Sequence, residues 1–321
     1  MLTLATALSS TSTSGLGLFL QLLVNGVTTG AMYALVALGY TMVYGIVELI
    51  NFAHGDVFMW ATVVMLIVTD IFHLTTPPGN FFAVIGLLLL LMIIGMVISG
   101  TINFGLELTL YRRLRKAPRV APLIAAVGAS FILETIVQIW RGTASVSFPS
   151  IFPNSQFTIG SVTIQGLDIF IVIVALGLMF ALDRFIQQTK LGRAMRATAQ
   201  DPEAASLMGV NVNRTISVTF IIGGALAGAA ALFYVLSIGQ VWYFTGFQLG
   251  LIAFTAAVLG GIGNIYGAVV GGFLIGIIQS LAIGYISNGS SWSLAVVFAI
   301  LVLILVVRPS GLLGQQVPDK V

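Results

Sequence analysis

The sequence predicts an all-α fold, a polytopic transmembrane helical bundle of about eight to ten spans with broken or re-entrant helices. Three observations predict it. Hydrophobic residues make up 58% of the 321, and charged residues only 7%, against about 25% in soluble domains. Thirteen basic and ten acidic side chains cannot cover a protein of 33.9 kDa with a water-facing surface. The few charges are also clustered, so that residues 1–47, 71–106, 142–167 and 215–307 contain none. A mean hydropathy of +1.09 likewise excludes a disordered chain, which needs low hydrophobicity and high charge.

Several function classes fall away with composition. Cysteine is absent, which excludes disulfides, a thiol nucleophile and thiolate metal sites. Two isolated histidines, His54 and His73, do not suggest a metal cluster. The net charge of +3 points to topology rather than nucleic acid, because the cations sit in two connecting segments. One holds Arg112, Arg113, Arg115, Lys116 and Arg119; the other runs from Arg184 through Lys190, Arg193 and Arg196 to Arg214. The positive-inside rule places both, with Arg308 and Lys320, in the cytoplasm. Arg141 is the exception.

The first apolar run is the hardest to read. A Ser/Thr-rich stretch, Ser9–Ser14, has no basic flank, so a cleaved signal peptide is not expected, and residues 1–15 read as a disordered tail. Leu16–Val47 then offers an uncharged run far longer than a bilayer needs. A break near Gly39-Tyr40 or Gly45 is expected. It would leave Asn51, Phe52, His54 and Asp56 at membrane depth, on a broken helix or re-entrant turn, which is tolerated only beside protein or a water-filled cavity. Asp56 is expected to cap a helix starting at Val57.

The remaining spans follow in order. Phe81 to about Leu110 enters the basic loop at 111–121 and Pro122–Trp140 leaves it. Asp168–Ile186 returns to the loop at 187–214, and Ile216–Leu236 leaves that. Gly246–Gly260, Ile265–Tyr285 and Trp292–Val307 alternate so that Arg308 is inside. External connections fall near 70–80, 141–167, 237–245 and 286–291. Pro77-Pro78-Gly79-Asn80 and Asn288-Gly289-Ser290-Ser291 are turn compositions. The alternating Thr158–Ile164 stretch reads as a short extended structure in the 141–167 loop. Trp60, Trp140, Trp242, Tyr243 and Trp292 suit interfacial belts. A single membrane domain, 16–313, and a cytoplasmic tail, 314–321, complete the division.

Glycine gives a further signal. Pairs four residues apart, such as Gly26/Gly30, Gly224/Gly228 and Gly272/Gly276, lie on one helix face and let a second backbone approach. Gly260-Gly261-Ile262-Gly263-Asn264 differs, and reads as a break between two helices near a pathway.

The second basic loop contains more than topology requires. Asp201-Pro202 is a helix start, with Asp as N-cap and Pro at the first position. The short helix that follows carries Leu207 and Met208 and stops near Gly209. A docking element for a soluble partner and a solvated connector are equally good readings of that spacing.

Resemblance separates them. Glu203-Ala204-Ala205-x-x-x-Gly209 resembles the start of the loop by which permeases of bacterial ATP-binding-cassette importers dock on their ATPases, although the later Ile-x-Leu-Pro part is missing. Asn51-Phe-Ala-His-Gly-Asp56, Gly192-Arg193-Ala-Met-Arg196, Leu259-Gly-Gly-Ile-Gly-Asn264 with Tyr-Gly-Ala268, and Arg308-Pro-Ser-Gly-Leu312 extend the match. In that order they resemble the high-affinity branched-chain amino acid permeases, shorter subunit type, from about Leu22 to Leu313. The resemblance implies a bacterial inner-membrane importer of several subunits. Its partners would be a second homologous permease, two cytoplasmic ATPases and a periplasmic amino-acid-binding protein. ATP and magnesium would belong to the ATPases; no cofactor or enzymatic activity is expected of this chain, which has no G-x-x-x-x-G-K-[ST] phosphate loop. A permease for urea or short amides is the alternative within the family.

Ionisable groups inside a membrane invite a functional reading. Glu134, Gln138 and Arg141 share one helix face and could line the pathway or form a structural network anchored by Arg141. Glu107 is expected to pair with Arg112 or Arg113. His54 and Asp56 could relay protons, as an ion-coupled secondary transporter would need, or could shape the 51–56 turn. Asn51 and Phe52 with Gly261, Gly263 and Asn264, at the two expected breaks, are the other pathway candidates.

Overall fold

The computed structural model describes residues 15–314 except Glu48, Lys116 and Arg119. The tails expected over 1–15 and 314–321 fall, apart from their innermost residues, outside the described residues. Among the described residues eleven helices follow one another: α1 (Gly15–Val47), α2 (His54–Ile71), α3 (Phe81–Leu106), α4 (Val120–Arg141), α5 (Gly166–Gln188), α6 (Lys190–Gln200), α7 (Pro202–Leu207), α8 (Val212–Ile238), α9 (Thr245–Gly260), α10 (Ile265–Tyr285) and α11 (Gly289–Val307). A π-helical turn, Glu107–Tyr111, and a last turn, Arg112–Leu114, prolong α3. Eight of these are long and apolar enough to cross a membrane; α9, at 16 residues, is shorter. The polytopic helical bundle and the lower bound of its spans agree with expectation.

Helix starts follow their capping residues. Asn80 accepts from the Phe82 N–H at 3.0 Å, Thr189 from Gly192 at 2.9 Å and Asn211 from Arg214 at 3.0 Å. Each satisfies a donor that the first helical turn leaves free. Gln165 and Asp168 form a reciprocal capping box at the start of α5.

Two ends of the bundle can be told apart by contact. Tyr111 reaches Ile50, Tyr266 donates to Asp183, and the Leu312 and Leu313 N–H groups bond to Leu259 and Gly260. This basic end therefore gathers the loops expected to be cytoplasmic. At the opposite end Gln21 bonds to Thr163, Trp242 to Thr143 and Arg141 to Asp70. That end also carries the hairpin of β2 (Gln156–Ile159) and β3 (Val162–Gln165), and the pairing of β1 (Val146–Ser147) with β4 (Gln240–Val241). The extended structure expected within 141–167 is present. Trp60 and Trp140 stack on each other near the same end.

The first apolar run departs from expectation. It does not break at Gly39-Tyr40 or Gly45 but forms one helix of 33 residues, from the hairpin end to the basic end. Gly39 serves contact instead of flexibility: a Cβ there would lie 2.4 Å from the His54 ring and 2.9 Å from the Gly223 carbonyl. A helix of that length reaches about 50 Å, longer than a bilayer core of about 30 Å, and its start is exposed at Gly15 and Leu16. The break comes later, over 49–53, and α2 begins at His54 rather than Val57.

The core is built around α1. Gly26 and Gly30 face the backbone of Ile277 and Phe273 on α10, while Gly272 and Gly276 face Ala34 and Gly30 in return. Gly224 and Gly228 on α8 lie against Ser99 and Gly95 on α3. Lipid offers no hydrophobic gain for helix pairing, so close backbone approach and the dispersion it brings must supply the attraction.

Candidate functional site

Between α1 and α2 the chain leaves the basic end and turns back into the bundle, and polar side chains hold the turn. The His54 N–H bonds to the Asn51 carbonyl at 3.0 Å. Asn51, only 2% exposed, donates through Nδ2 to Asn103 Oδ1 at 2.9 Å and accepts from the Tyr111 hydroxyl at 3.1 Å. Asn103 donates in turn to the Phe220 carbonyl at 2.6 Å. Thus α2, α3 and α8 meet through one hydrogen-bonded chain, in a setting where each unpaired group costs several kcal/mol, roughly. Phe52 packs on Phe254 of α9, and His54 meets Tyr40 edge-on at 4.8 Å between ring centres.

Asp56 is not a helix cap. It lies in the first turn of α2, fully buried, and its Oδ2 accepts from the Ser130 hydroxyl of α4. Its Oδ1 is unpartnered among the described residues and faces Gly246, where a Cβ would come within 2.7 Å. Glu134 stands one turn beyond Ser130 on the same face of α4, and its Oε2 is also buried without a partner. Two carboxylates on facing helices therefore each keep one oxygen free. Among the described residues no side-chain hydrogen bond joins His54 to Asp56, nor any two of Glu134, Gln138 and Arg141. Arg141 binds Asp70 of α2 at 3.1 Å instead, and Gln138 is half-buried.

The expected break at 260–264 is present, and its residues serve the C-terminal segment. Gly261 and Gly263 adopt φ of +107° and +92°, a region that favours glycine. Asn264 caps α10 through the Gly267 N–H at 3.1 Å and donates to the Leu313 carbonyl at 2.8 Å. A Cβ on Gly261 would fall 2.3 Å from the Gly314 nitrogen. The structure does not bring Asn264 to Asn51. Their neighbours Ile262 and Ile50 do line one narrow cleft, with Tyr40, Tyr44, Phe254 and Ala257.

At the basic end, α6 and α7 form the surface loop. Gly192 is required by packing, since a Cβ would lie 2.1 Å from the Ile186 carbonyl, to which Arg196 also donates. Arg193 points to solvent. Asp201 accepts from the Glu203 and Ala204 N–H groups at 2.9 and 3.0 Å, with Pro202 at the first helical position. Ala205 anchors the helix, the Val210 N–H closes on its carbonyl at 3.0 Å, and Gly209 has φ of +82°. Glu203 and Ala204 are exposed, and Leu207 and Met208 are 87% and 84% exposed. Two large apolar side chains thus project from a rigidly capped turn.

Glu107 pairs with Arg112 as expected, and it goes beyond expectation in being fully buried and in pairing with Arg115 as well. It also accepts from Ser217 of α8 at 2.9 Å. Ser130, Asn103 and Tyr111 are further site residues absent from the sequence reading. Small hydroxyls and amides inside apolar runs were the available signal, but many such residues only bond to their own helix, as Thr101 and Thr109 do.

Comparison with known proteins bears on this arrangement. Residues 22–305 match the family model described as "Branched-chain amino acid transport system / permease component". The high-affinity branched-chain amino acid transport system permease protein LivH of Escherichia coli (strain K12) is 40% identical over 309 residues, 94% of this chain and 98% of the relative. The permease protein BraD of the corresponding system in Pseudomonas aeruginosa is 38% identical over 307 residues, with the same coverage. A probable LivH of Methanocaldococcus jannaschii is 29% identical over 88% of this chain and 89% of the relative. The chain belongs to the branched-chain amino acid transport permease family.

Proposed function

We propose that this chain is the membrane-spanning permease subunit of an ATP-driven importer, one that carries branched-chain or other neutral amino acids across the inner membrane. The basic end faces the cytoplasm in this reading, which puts the start of α1 on the outer side. The observation that carries the reading beyond family membership is α7. A capped helix holding Leu207 and Met208 in solvent beside Glu203, Arg193 and Arg196 has the form of a docking element, and apolar side chains gain from being covered. A pair of separate ATPase subunits is its partner, and those subunits bind the ATP and magnesium. A second permease subunit and an external amino-acid-binding protein complete the assembly.

The mechanism is alternating access driven by the ATPases, whose two states must bind α7 differently for force to be transmitted. Along the pathway lie Asn51, Phe52, His54 and Asp56 of the interior turn, and Asp56 meets α4 at Ser130, one turn from Glu134. The free oxygens of Asp56 and Glu134 suit the ammonium group of a zwitterion. Gly261, Gly263 and Asn264 border the route from the basic end, while Gln138 lies toward the hairpin end.

Replacing Glu203 with Lys reverses the charge on α7 at a solvent-exposed site. Uptake in membrane vesicles is expected to fall by about a hundredfold or more, the effect of several kcal/mol at a docking contact, with the protein still present in the membrane. Unchanged uptake in E203K would sink the docking assignment. Purification from native membranes should recover the two ATPases and a second permease, and the ligand of the accompanying binding protein identifies the substrate, amino acid or short amide.

A further inference from the structure

We infer that Glu107 is the positioning residue that links the docking helix α7 to the interior turn at Asn51–Asp56. The inference rests on the importer reading above and adds the route by which docking reaches the membrane interior.

The first support is local geometry. The Arg112 N–H bonds to the Glu107 carbonyl, a five-residue step that makes Glu107–Tyr111 a π-helical turn. In an α-helix, side chains five residues apart point about 140° away from each other. In the π turn they come to one face, and Glu107 binds Arg112 through Nε at 3.2 Å and Nη2 at 2.8 Å. The ion pair and the π register therefore require each other. Reverting the segment to α-helix would separate the pair, and in this inference the π and α registers are the two arrangements that a coupling element must have.

The second support is what the turn touches. Asn213 and Ser217 lie in the first two turns of α8, a helix that starts five residues after α7 ends. Arg115 donates to Asn213 at 2.7 Å and to Glu107, while Ser217 donates to Glu107 and accepts from Arg112 at 2.7 Å. Four residues on, Tyr111 donates to Asn51 at 3.1 Å and to the Ile50 carbonyl at 3.4 Å. A shift of α7 moves the start of α8; Glu107 passes it to the π turn, and Tyr111 to the interior turn. Stability alone accounts poorly for such a cluster, because a buried ion pair gains little over an apolar replacement.

The test uses the whole complex, with both permeases, both ATPases and loaded binding protein, reconstituted in proteoliposomes. ATP hydrolysis and amino acid uptake are measured in the same vesicles. E107Q keeps the shape and removes the charge, and is expected to lower uptake per ATP hydrolysed by about tenfold. E107D should restore part of that ratio, which a purely structural role would not do. N213A, outside the buried cluster, should lower the ratio by about threefold. A ratio unchanged in E107Q, or hydrolysis falling in proportion to uptake, overturns the inference. Should E107Q fail to assemble, N213A decides, and a wild-type ratio there overturns it. A wild-type complex without ATP-dependent uptake would instead overturn the importer reading itself, and this inference with it.

Discussion

Helices α1 and α11 are both uncharged and both long enough to cross a membrane, yet they hold opposite places. In its most apolar eighteen-residue stretch α1 has a mean hydropathy of 1.6 and is 78% buried; α11 has 2.7 and is 11% buried. The more hydrophobic helix is the one outside. The pattern extends across the bundle, with α2 and α8 at 1.4 and 2.1 well buried and α3 and α5 at 3.1 and 2.4 largely exposed. Lipid is the apolar solvent here, so large aliphatic side chains face outward at no loss. Inside, small residues let backbones touch and polar ones find partners. Burial in this protein therefore tracks glycine, alanine and amides, and hydropathy runs against it.

That contrast can be broken by substitution. The largest effect is expected at Gly276, where a Cβ would meet the Gly30 backbone at 2.3 Å. Gly276→Val should cost at least about 3 kcal/mol, seen as loss of monodisperse protein in detergent or a much lower Tm. Wild-type stability there would mean that the inner helices are not held by backbone approach. Next comes Asn103→Leu, which leaves Asn51 and the Phe220 carbonyl short of a partner at a cost of about 1–3 kcal/mol. A Tm equal to the wild type would show that the amide chain carries no stability. Smallest is Gly128→Ala on the outward side of α4, where nothing lies within 4 Å of a Cβ. It should stabilise by about 0.5–1 kcal/mol, the helical difference between Ala and Gly, and a clear loss of Tm would put an unseen partner on that face.

Much of the fold was legible because its signals are local. Asp201-Pro202 specified the start of α7 and Gly209 its stop; the glycines and Asn264 specified the break between α9 and α10. The alternating residues of 158–164 specified extended structure, which the fold pairs as a hairpin. Gly39 was misread because a glycine in a long apolar run has the same composition whether it bends a helix or admits a neighbour, here His54. Asp56 was misread for a related reason: an acidic residue near a helix start is a cap or a side-chain partner depending on what faces it, and Ser130 lies 74 positions away. Glu107 needed both kinds of information. A π turn depends on one extra residue in a helix whose sequence looks continuous, and Arg115 and Ser217 reach it only after folding.

Sequence alone determined the solvent, the approximate number of crossings, the cap at Asp201 and the end of the bundle that carries the basic charge. Each follows from composition or from residues within one helical turn of one another. Tertiary structure decided which helices are inside, where the first long run breaks, and which polar groups meet at Glu107 and Asp56. The physical reason is that lipid and protein interior are about equally apolar. Hydrophobicity can place a helix in the membrane, but only contact with its neighbours can place it within the bundle.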